Sequence, residues 1–506
     1  MSNYTLMAMI YVSSSALVCI SGIAHRGKYL LKAIGYLSLA ILIYLMHNAY
    51  SLIDPFSLIL GLATLALGFW ISFYSDKYSL IESYGKGLTI YIDLYIFSLT
   101  TAFISPNLVL FATSWALAEI ISYILIRIGE EHSIDGTLRA SRGFLFTTTL
   151  FFEFSVFTLL IISISVFASL ISLNNIWMPF VKLVENPISI TPVLLPILMA
   201  GFLTKIATVP FHFWLPSAHA VAPAPASALL SGVSTVLGFY GLYRLLGIID
   251  VSLYRYFISL ALSAMGLLTV VYAYISITNQ RDGKKLLAYS TIATNGFILI
   301  VFSMYLLEPG TLSTAVFMLG ILMHMAYKTT LFSDMGLIEV STGTRYIYGL
   351  GGLGKYFTKS LPGTYLALFT LLGVPGTIGF MSKALSIYVS LTQLLSSHRA
   401  ELFLTIAGIS AYVIISSIIA LKYMSIYMPS TKMIYPGIVR TPPLDMQFAI
   451  LILGLANVLF QVFMIAFSFP WTLLFISSIL SPIAVLFALT SRLLIFIEKA
   501  KIHGAH

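Results

Sequence analysis

The sequence predicts an all-α polytopic membrane protein, with about 14–15 transmembrane helices and two inverted five-helix repeats that contain broken helices. Three observations lead there. Only 9% of the 506 residues are charged and 59% are hydrophobic, at a mean hydropathy of +0.97, whereas soluble domains are about 25% charged. Apolar runs long enough to cross a bilayer recur along the whole chain. The charges that remain gather in alternate loops.

In chain order the runs fall near 4–22, 30–47, 52–73, 88–104, 108–127, 144–170, 190–210, 223–246, 255–277, 285–306, 313–337, 361–395, 402–424, 446–468 and 471–496. Only Phe469 and Pro470 set the last apart from its neighbour. The first, "TLMAMIYVSSSALVCISGI", has no cleavage-site pattern and is expected to be a span rather than a removed signal. Loops after odd-numbered spans are basic: Arg26 and Lys28; Lys77 and Lys86; Arg127, Arg139 and Arg142; Arg281, Lys284 and Lys285; Arg345, Lys355 and Lys359; Lys422, Lys432 and Arg440. Loops after even-numbered spans hold chiefly Lys182, Arg255 and Arg399. The positive-inside rule then places the odd loops in the cytoplasm and the N-terminus outside. A fifteenth helix brings Arg492, Lys499 and Lys501 inside as well. The net charge of +9 is thus read as topology. The expected partner of this surface is the lipid bilayer, not nucleic acid, in the plasma (inner) membrane of a prokaryote.

Cys19 is the only cysteine, which excludes disulfides, Cys-ligated iron–sulfur clusters and Cys-type zinc sites within the chain. No G-x-G-x-x-G opens a strand–helix unit and no P-loop occurs. The chain is therefore expected to carry no redox site and no cofactor of its own.

No linker separates soluble domains; the longest polar stretches are 129–142 and 338–360. Two spans are interrupted in similar style. The run holding Lys205 meets Pro210 and Pro216, and in "LLGVPGTIGFMSKALSIYV" Pro375, Gly376 and Gly379 precede Lys383. Interrupted, charged helices at matching places in two halves are the pattern of inverted-repeat transporters. The expected division is 1–87 for the N-terminal helices 1–3, 88–247 and 255–424 for the repeats, and 425–506 for the C-terminal helices.

A charged residue at the centre of a membrane helix costs ~2.5–3.5 kcal/mol, so Lys205, Lys328 and Lys383 facing lipid would cost roughly 8–10 kcal/mol together. Such lysines belong in a bundle interior or hydrated cavity, with Asp93, Glu119, Glu153, His212 and His324 as potential partners. His324 and Lys328 are four apart and share a helix face. The chemistry of such a row is proton transfer: burial lowers a lysine's proton affinity, a carboxylate nearby raises it, and histidine titrates near neutrality. Plainer readings stand beside this one. Lys205 could snorkel from a helix end, Asp93 and Glu153 could hold helices together by hydrogen bonds, and Trp214 is an interface anchor by type.

"TKIATVPFHFWLPSAHAVAPAPASALLSGV" resembles the signature of the antiporter-like membrane subunits shared by respiratory complex I, energy-converting membrane hydrogenases and the Mrp cation/proton antiporters. The resemblance continues in "ISPNLVLFATSW", "GFYGLYRLL", "DGKKLLAYSTIATNGFILI", "HMAYKTTLF" and "LLGVPGTIGFMSK", covering about residues 70–425. It is nearest the subunits of about fourteen helices. It implies that Lys205 is the central lysine on a broken seventh helix, that His324 and Lys328 form a relay on a broken eleventh, and that Lys383 is the exit-side residue on the twelfth. Two departures stand out. Ala116 occupies the place of the family's glutamate in "SWALAEIISY", with Glu119 three residues later, ~4.5 Å along the axis on a neighbouring part of the same face. Val236 stands where the family has a lysine on the eighth helix, leaving water, Ser234 or Tyr240 to bridge.

The resemblance implies a proton-translocating, non-catalytic subunit of a redox-driven complex of the complex I or membrane-bound hydrogenase type. Sister antiporter-like subunits and peripheral redox subunits would be its partners, with iron–sulfur clusters and flavin or nickel in those partners. Alternatives are a sodium/proton antiporter subunit, a subunit of a non-redox uptake complex of the inorganic-carbon type, and a scaffold that conducts nothing.

Overall fold

The computed structural model describes residues 3–23, 27–49, 51–132, 139–155, 184, 187, 189–397, 402–428 and 439–465. Among these residues the regular structure is helical, with isolated bridges at Ile249 and between Asp282 and Tyr346. Ten helices are long and apolar enough to cross a membrane, and four shorter ones are apolar. The all-α, multi-pass reading stands. The expected span at 471–496, and most of that at 144–170, lie outside the described residues.

The chain divides into two compact units, Met1–Ala207 with Phe211–Tyr254, and Thr208–Pro210 with Arg255–His506. The first begins with α1 (Asn3–Ile23), α2 (Lys28–Asn48), α3 (Pro55–Ile81), α4 (Gly87–Phe103) and α5 (Leu108–Glu131). Local sequence sets several of these starts. The Asp54 side chain accepts from Ser57 N at 2.8 Å with Pro55 at the first helical position, and Asn107 accepts from Leu110 N at 2.9 Å. Next comes α6 (Arg139–Phe144), which runs into a π turn at Leu145–Thr149. Then follow α7 (Leu194–Ile206), α8 (Trp214–Val221) and α9 (Ala224–Ile248), the last with a second π turn at Leu230–Ser234. Such turns widen a helix locally and turn side chains out of their regular register.

The second unit holds α10 (Arg255–Thr278), α11 (Gly283–Leu307), α12 (Thr311–Thr342), α13 (Leu361–Leu372), α14 (Ile378–Ser397), α15 (Leu402–Met424) and α16 (Leu444–Ile465). Asp282 caps α11 by accepting from Lys285 N at 3.0 Å. One expectation changes here. The helix of His324 and Lys328 is not broken: α12 runs 32 residues without interruption, its sequence holding no proline and only Gly320 and Gly336 between its ends. The interruption expected before Lys383 is present, and it splits the run at 361–395 into two helices. Gly373, at φ 80°, ends α13 in the left-handed conformation that glycine takes without strain, and Gly376 at φ 90° continues the turn.

Asp54 also joins α3 to α9. Its carboxylate takes both Arg244 guanidinium donors, at 2.6 and 2.8 Å, while Arg244 donates to Ser57 Oγ at 2.6 Å. Burial works to raise the Asp54 carboxyl, but the paired guanidinium outweighs it and holds the group below its ordinary value. A depressed carboxyl adds stability that is complete above the unfolded value of about 4 and is lost as pH falls through the lower folded value. Asp54→Asn keeps a good N-cap and removes the charge. It is expected to cost roughly 1.5–3 kcal/mol at pH 7. Melting temperatures of wild type and variant should converge as the pH falls below about 4.

Candidate functional site

Lys205 lies one residue from the end of α7. Ala207 closes that helix with φ 59°, a left-handed turn at a residue that has a Cβ, and residues 207–213 form no helix. The break is braced from α8: Trp214 Nε1 donates to Thr204 O at 3.0 Å. The C-terminal end of a helix favours a cation nearby, and Lys205 is 1% exposed.

Its partner is Glu119 on α5, with Nζ 2.6 Å from Oε1 and side-chain exposures of 2% and 3%. Trp115 Nε1 donates to Glu119 Oε1 at 3.0 Å, and Thr148, in the first π turn, donates to Oε2 at 3.0 Å. Thus both carboxylate oxygens are engaged from two other side chains besides the lysine. The Phe144 ring lies 5.4 Å from the ammonium. Ala116 is only half-buried, while Glu119, three residues on, is turned inward.

The secondary candidates of this unit divide. Tyr95 OH receives a hydrogen bond from Ser122 Oγ at 2.7 Å and lies beside Ser234 and the field of Glu119. Ser234 therefore borders the lysine–glutamate pair through Tyr95. Tyr240 turns elsewhere: its hydroxyl pairs with Ser57 Oγ at 2.8 Å and its ring lies 4.8 Å from the Arg244 guanidinium. Val236 is fully buried and apolar. His212 is half-buried in the break, and Glu153 is half-buried on the helix continuing from α6. Asp93 belongs to a separate group of charges on α2–α4.

In the second unit Lys328 is fully buried. Its ammonium donates to Leu287 O at 2.6 Å and to Ser290 Oγ, both on α11. His324 is fully buried one turn away, with its ring edge-on to Tyr327 at 5.9 Å. Lys383, 5% exposed on α14, donates to Ser416 Oγ at 2.8 Å and to Leu371 O, a carbonyl at the end of α13. The break at Gly373 thus supplies this cation with a helix C-terminus, as the break after α7 does for Lys205. Among the described residues neither Lys328 nor Lys383 forms an ion pair.

A cluster of hydroxyl groups lies near both lysines. Thr294 Oγ1, one turn beyond Ser290, lies 2.5 Å from Tyr327 OH and 3.1 Å from Tyr412 OH. The Tyr412 ring is 5.4 Å from Lys383 Nζ, and Ser416 is one turn further along α15. Sequence reasoning missed Ser290, Thr294, Tyr412 and Ser416; their signal is two pairs of hydroxyl residues at i, i+4. It also missed Asp334, a fully buried carboxylate on α12 that accepts from Thr364 and Tyr423 at 2.8 Å each and from Tyr427 at 2.5 Å.

Residues 105–409 match the family described as NADH:quinone oxidoreductase/Mrp antiporter, TM. A Staphylococcus epidermidis protein named as antiporter subunit mnhA2 is 30% identical over 391 residues, covering 74% of this chain and 47% of that protein. Its Staphylococcus haemolyticus namesake is 28% identical over 393 residues, with the same coverage of 74% and 47%. The chain thus spans about half the length of the curated relatives it matches. In the solved structures, a chain of the Mrp complex from Dietzia sp. superposes with a TM-score of 0.73 at 17% identity, covering 97% of this chain and 100% of that one. A chain of the membrane-bound sulfane sulfur reductase, an archaeal respiratory membrane complex, gives 0.70 at 20% identity, covering 89% and 75%. At these identities the two likenesses are of fold.

Proposed function

Because the chain belongs to the NADH:quinone oxidoreductase/Mrp antiporter transmembrane family, we propose that this antiporter-like membrane subunit moves protons along buried groups in both units. The groups are Glu119 and Lys205 in the first, and His324, Lys328 and Lys383 in the second. The observation that carries this reading is the Lys205–Glu119 pair at the end of a broken helix. A lysine in contact with a carboxylate holds its proton; the same lysine with the carboxylate drawn away releases it. The break ends α7 beside the lysine while Glu119 stands on a different helix, so a small displacement alters their separation. In the second unit Lys328 and Lys383, each held by a carbonyl and a hydroxyl beside aromatic rings, are the proton-handling groups, and Tyr327, Thr294 and Tyr412 are the hydroxyls that carry a proton between them. No bond other than N–H and O–H changes.

The drive comes from partner subunits of a membrane complex. The names of the curated relatives favour an antiporter, and the basic odd-numbered loops favour an outward-facing N-terminus in a prokaryotic inner membrane. A redox-driven complex, with iron–sulfur clusters and flavin or nickel in its peripheral subunits, is the second reading, supported by the resemblance of the motifs around Lys205 and Lys328 to those of complex I and hydrogenase subunits. The experiment is to purify the complex from its native membrane, assay it for iron, nickel and flavin, and reconstitute it in vesicles. Proton movement is followed with a pH dye and sodium movement with a tracer. Sodium flux tied to an opposing proton flux, with no redox centre, supports the antiporter. Proton flux that requires an electron donor supports the redox complex. No cation flux under either drive contradicts the proposal.

A further inference from the structure

Outside the matched residues 105–409, the first unit holds a second group of buried charges. Lys28 and Lys32 stand one turn apart at the start of α2, Asp76 lies near the end of α3 and Asp93 on α4. Lys28 Nζ is 3.4 Å from Asp76 Oδ2, Lys32 Nζ is 3.5 Å from the same oxygen, and Lys32 Nζ is 3.4 Å from Asp93 Oδ2. Side-chain exposure falls along the row, from 28% at Lys28 through 8% at Asp76 and 1% at Lys32 to 0% at Asp93. Tyr36 donates to Asp93 Oδ1 at 3.0 Å, and Ser72 donates to the same oxygen. Cys19 on α1 lies within the field of Asp93 and Lys32, and the Tyr29 ring is 4.7 Å from Lys28 Nζ.

Four charges in a row are a costly way to join three helices. Well-packed apolar residues of similar size do so as well or better than a buried ion pair. The geometry also differs from that of a clasp. All three contacts are 3.4–3.5 Å, against 2.6 Å for Lys205–Glu119, and one lysine is shared between two carboxylates. Lys32 thus stands between two carboxylates at like distance. With its two hydroxyl donors, Asp93 stays hydrogen-bonded whichever one Lys32 takes.

We propose that Lys28, Asp76, Lys32 and Asp93 form a proton-conducting branch. It takes up a proton at Lys28, at the start of α2, and delivers it to Asp93, apart from the Lys205–Glu119 pair. The transfers alternate: an N–H bond breaks as an O–H bond forms when the Lys32 ammonium protonates Asp93 and when the Lys28 ammonium protonates Asp76, and an O–H bond breaks as an N–H bond forms when Asp76 passes its proton to the Lys32 amine so left neutral; no co-reactant is consumed. The inference rests on the reading of the chain as a proton-translocating subunit.

The test uses the purified complex in vesicles, with wild type and Lys205→Met beside two variants. Lys32→Arg keeps both ionic contacts, but a guanidinium does not give up its proton. Lys32→Met combined with Asp93→Asn removes the inner pair as neutral groups of similar shape and leaves Lys28–Asp76 in place. Proton translocation is expected to fall about tenfold or more in Lys32→Arg, with assembly and melting temperature unchanged. The neutral double variant should lose as much wherever it assembles. Wild-type rates in Lys32→Arg would overturn the branch and leave the ladder a structural one. If Lys205→Met is inactive while both ladder variants run at full rate, only the branch falls. A wild-type complex that moves no protons overturns the branch together with the reading it rests on.

Discussion

Lys328→Met is expected to abolish translocation while leaving the protein as stable as wild type or more so. Lys328 is fully buried, hydrogen-bonded to a carbonyl and a hydroxyl and flanked by the Tyr327 and Phe332 rings, with no carboxylate within ion-pair distance among the described residues. A buried ammonium without a counter-charge is a burden on the fold. Methionine fills nearly the same volume without it, and Leu287 O stays within its helix ladder. A structural lysine would behave oppositely, its loss lowering the melting temperature. The expected pattern is a rate drop of at least about tenfold with a melting temperature equal to or above that of wild type. Both quantities come from one preparation. A variant that melts lower yet translocates normally would assign Lys328 to the fold.

Gly454→Leu is expected to prevent accumulation of the folded protein. A Cβ at Gly454 would lie 2.2 Å from Gly363 Cα and 2.4 Å from Gly363 O, so α16 and α13 touch through their backbones. Small residues at such crossings let membrane helices approach closely. No flexible side chain is present to give way, and overpacking typically costs ~1–3 kcal/mol or more. The crossing bears on the site as well. On α16, Gln461 Nε2 donates to Gly376 O at 2.8 Å, holding the turn whose preceding helix end binds Lys383. Gly454→Ala is the milder step and should lower the melting temperature while reducing function only in proportion to the folded fraction. Wild-type yield of Gly454→Leu in membranes would show that the helices can part without loss.

Much of this was legible in the sequence because a bilayer penalises charge and free backbone so heavily. Apolar runs marked the helices. A lysine inside an apolar run had to be buried, and the three-residue offset from Ala116 pointed to Glu119 as the carboxylate beside it. What failed was of two kinds. The eleventh helix was expected to be broken by resemblance alone, and its own residues contain no breaker strong enough to do it. The hydroxyl cluster was missed because serine and threonine in membrane helices bond back to their own helix everywhere, as Ser290 and Thr294 also do. The row on α2–α4 was hidden for another reason. Lys28 and Lys32 sit at a helix start next to a basic loop, where the positive-inside bias accounts for them without partners, and Asp76 lies 44 residues beyond Lys32 in the chain. Spacing along the sequence carries no trace of contacts made between helices.

The central claim is that Lys205 and Glu119 work as one proton-handling unit. The most direct measurement is proton translocation by the assembled complex carrying Lys205→Met, Glu119→Gln, or both. Each single variant is expected to lose translocation by about tenfold or more, and the double to lose no more than either single, because groups that act together are strongly non-additive. Removing one partner of a buried pair also leaves the other uncompensated, at a cost of about 3–5 kcal/mol, so the neutral double should melt higher than the singles. Wild-type translocation in Lys205→Met or in the double, with the complex intact, would contradict the account.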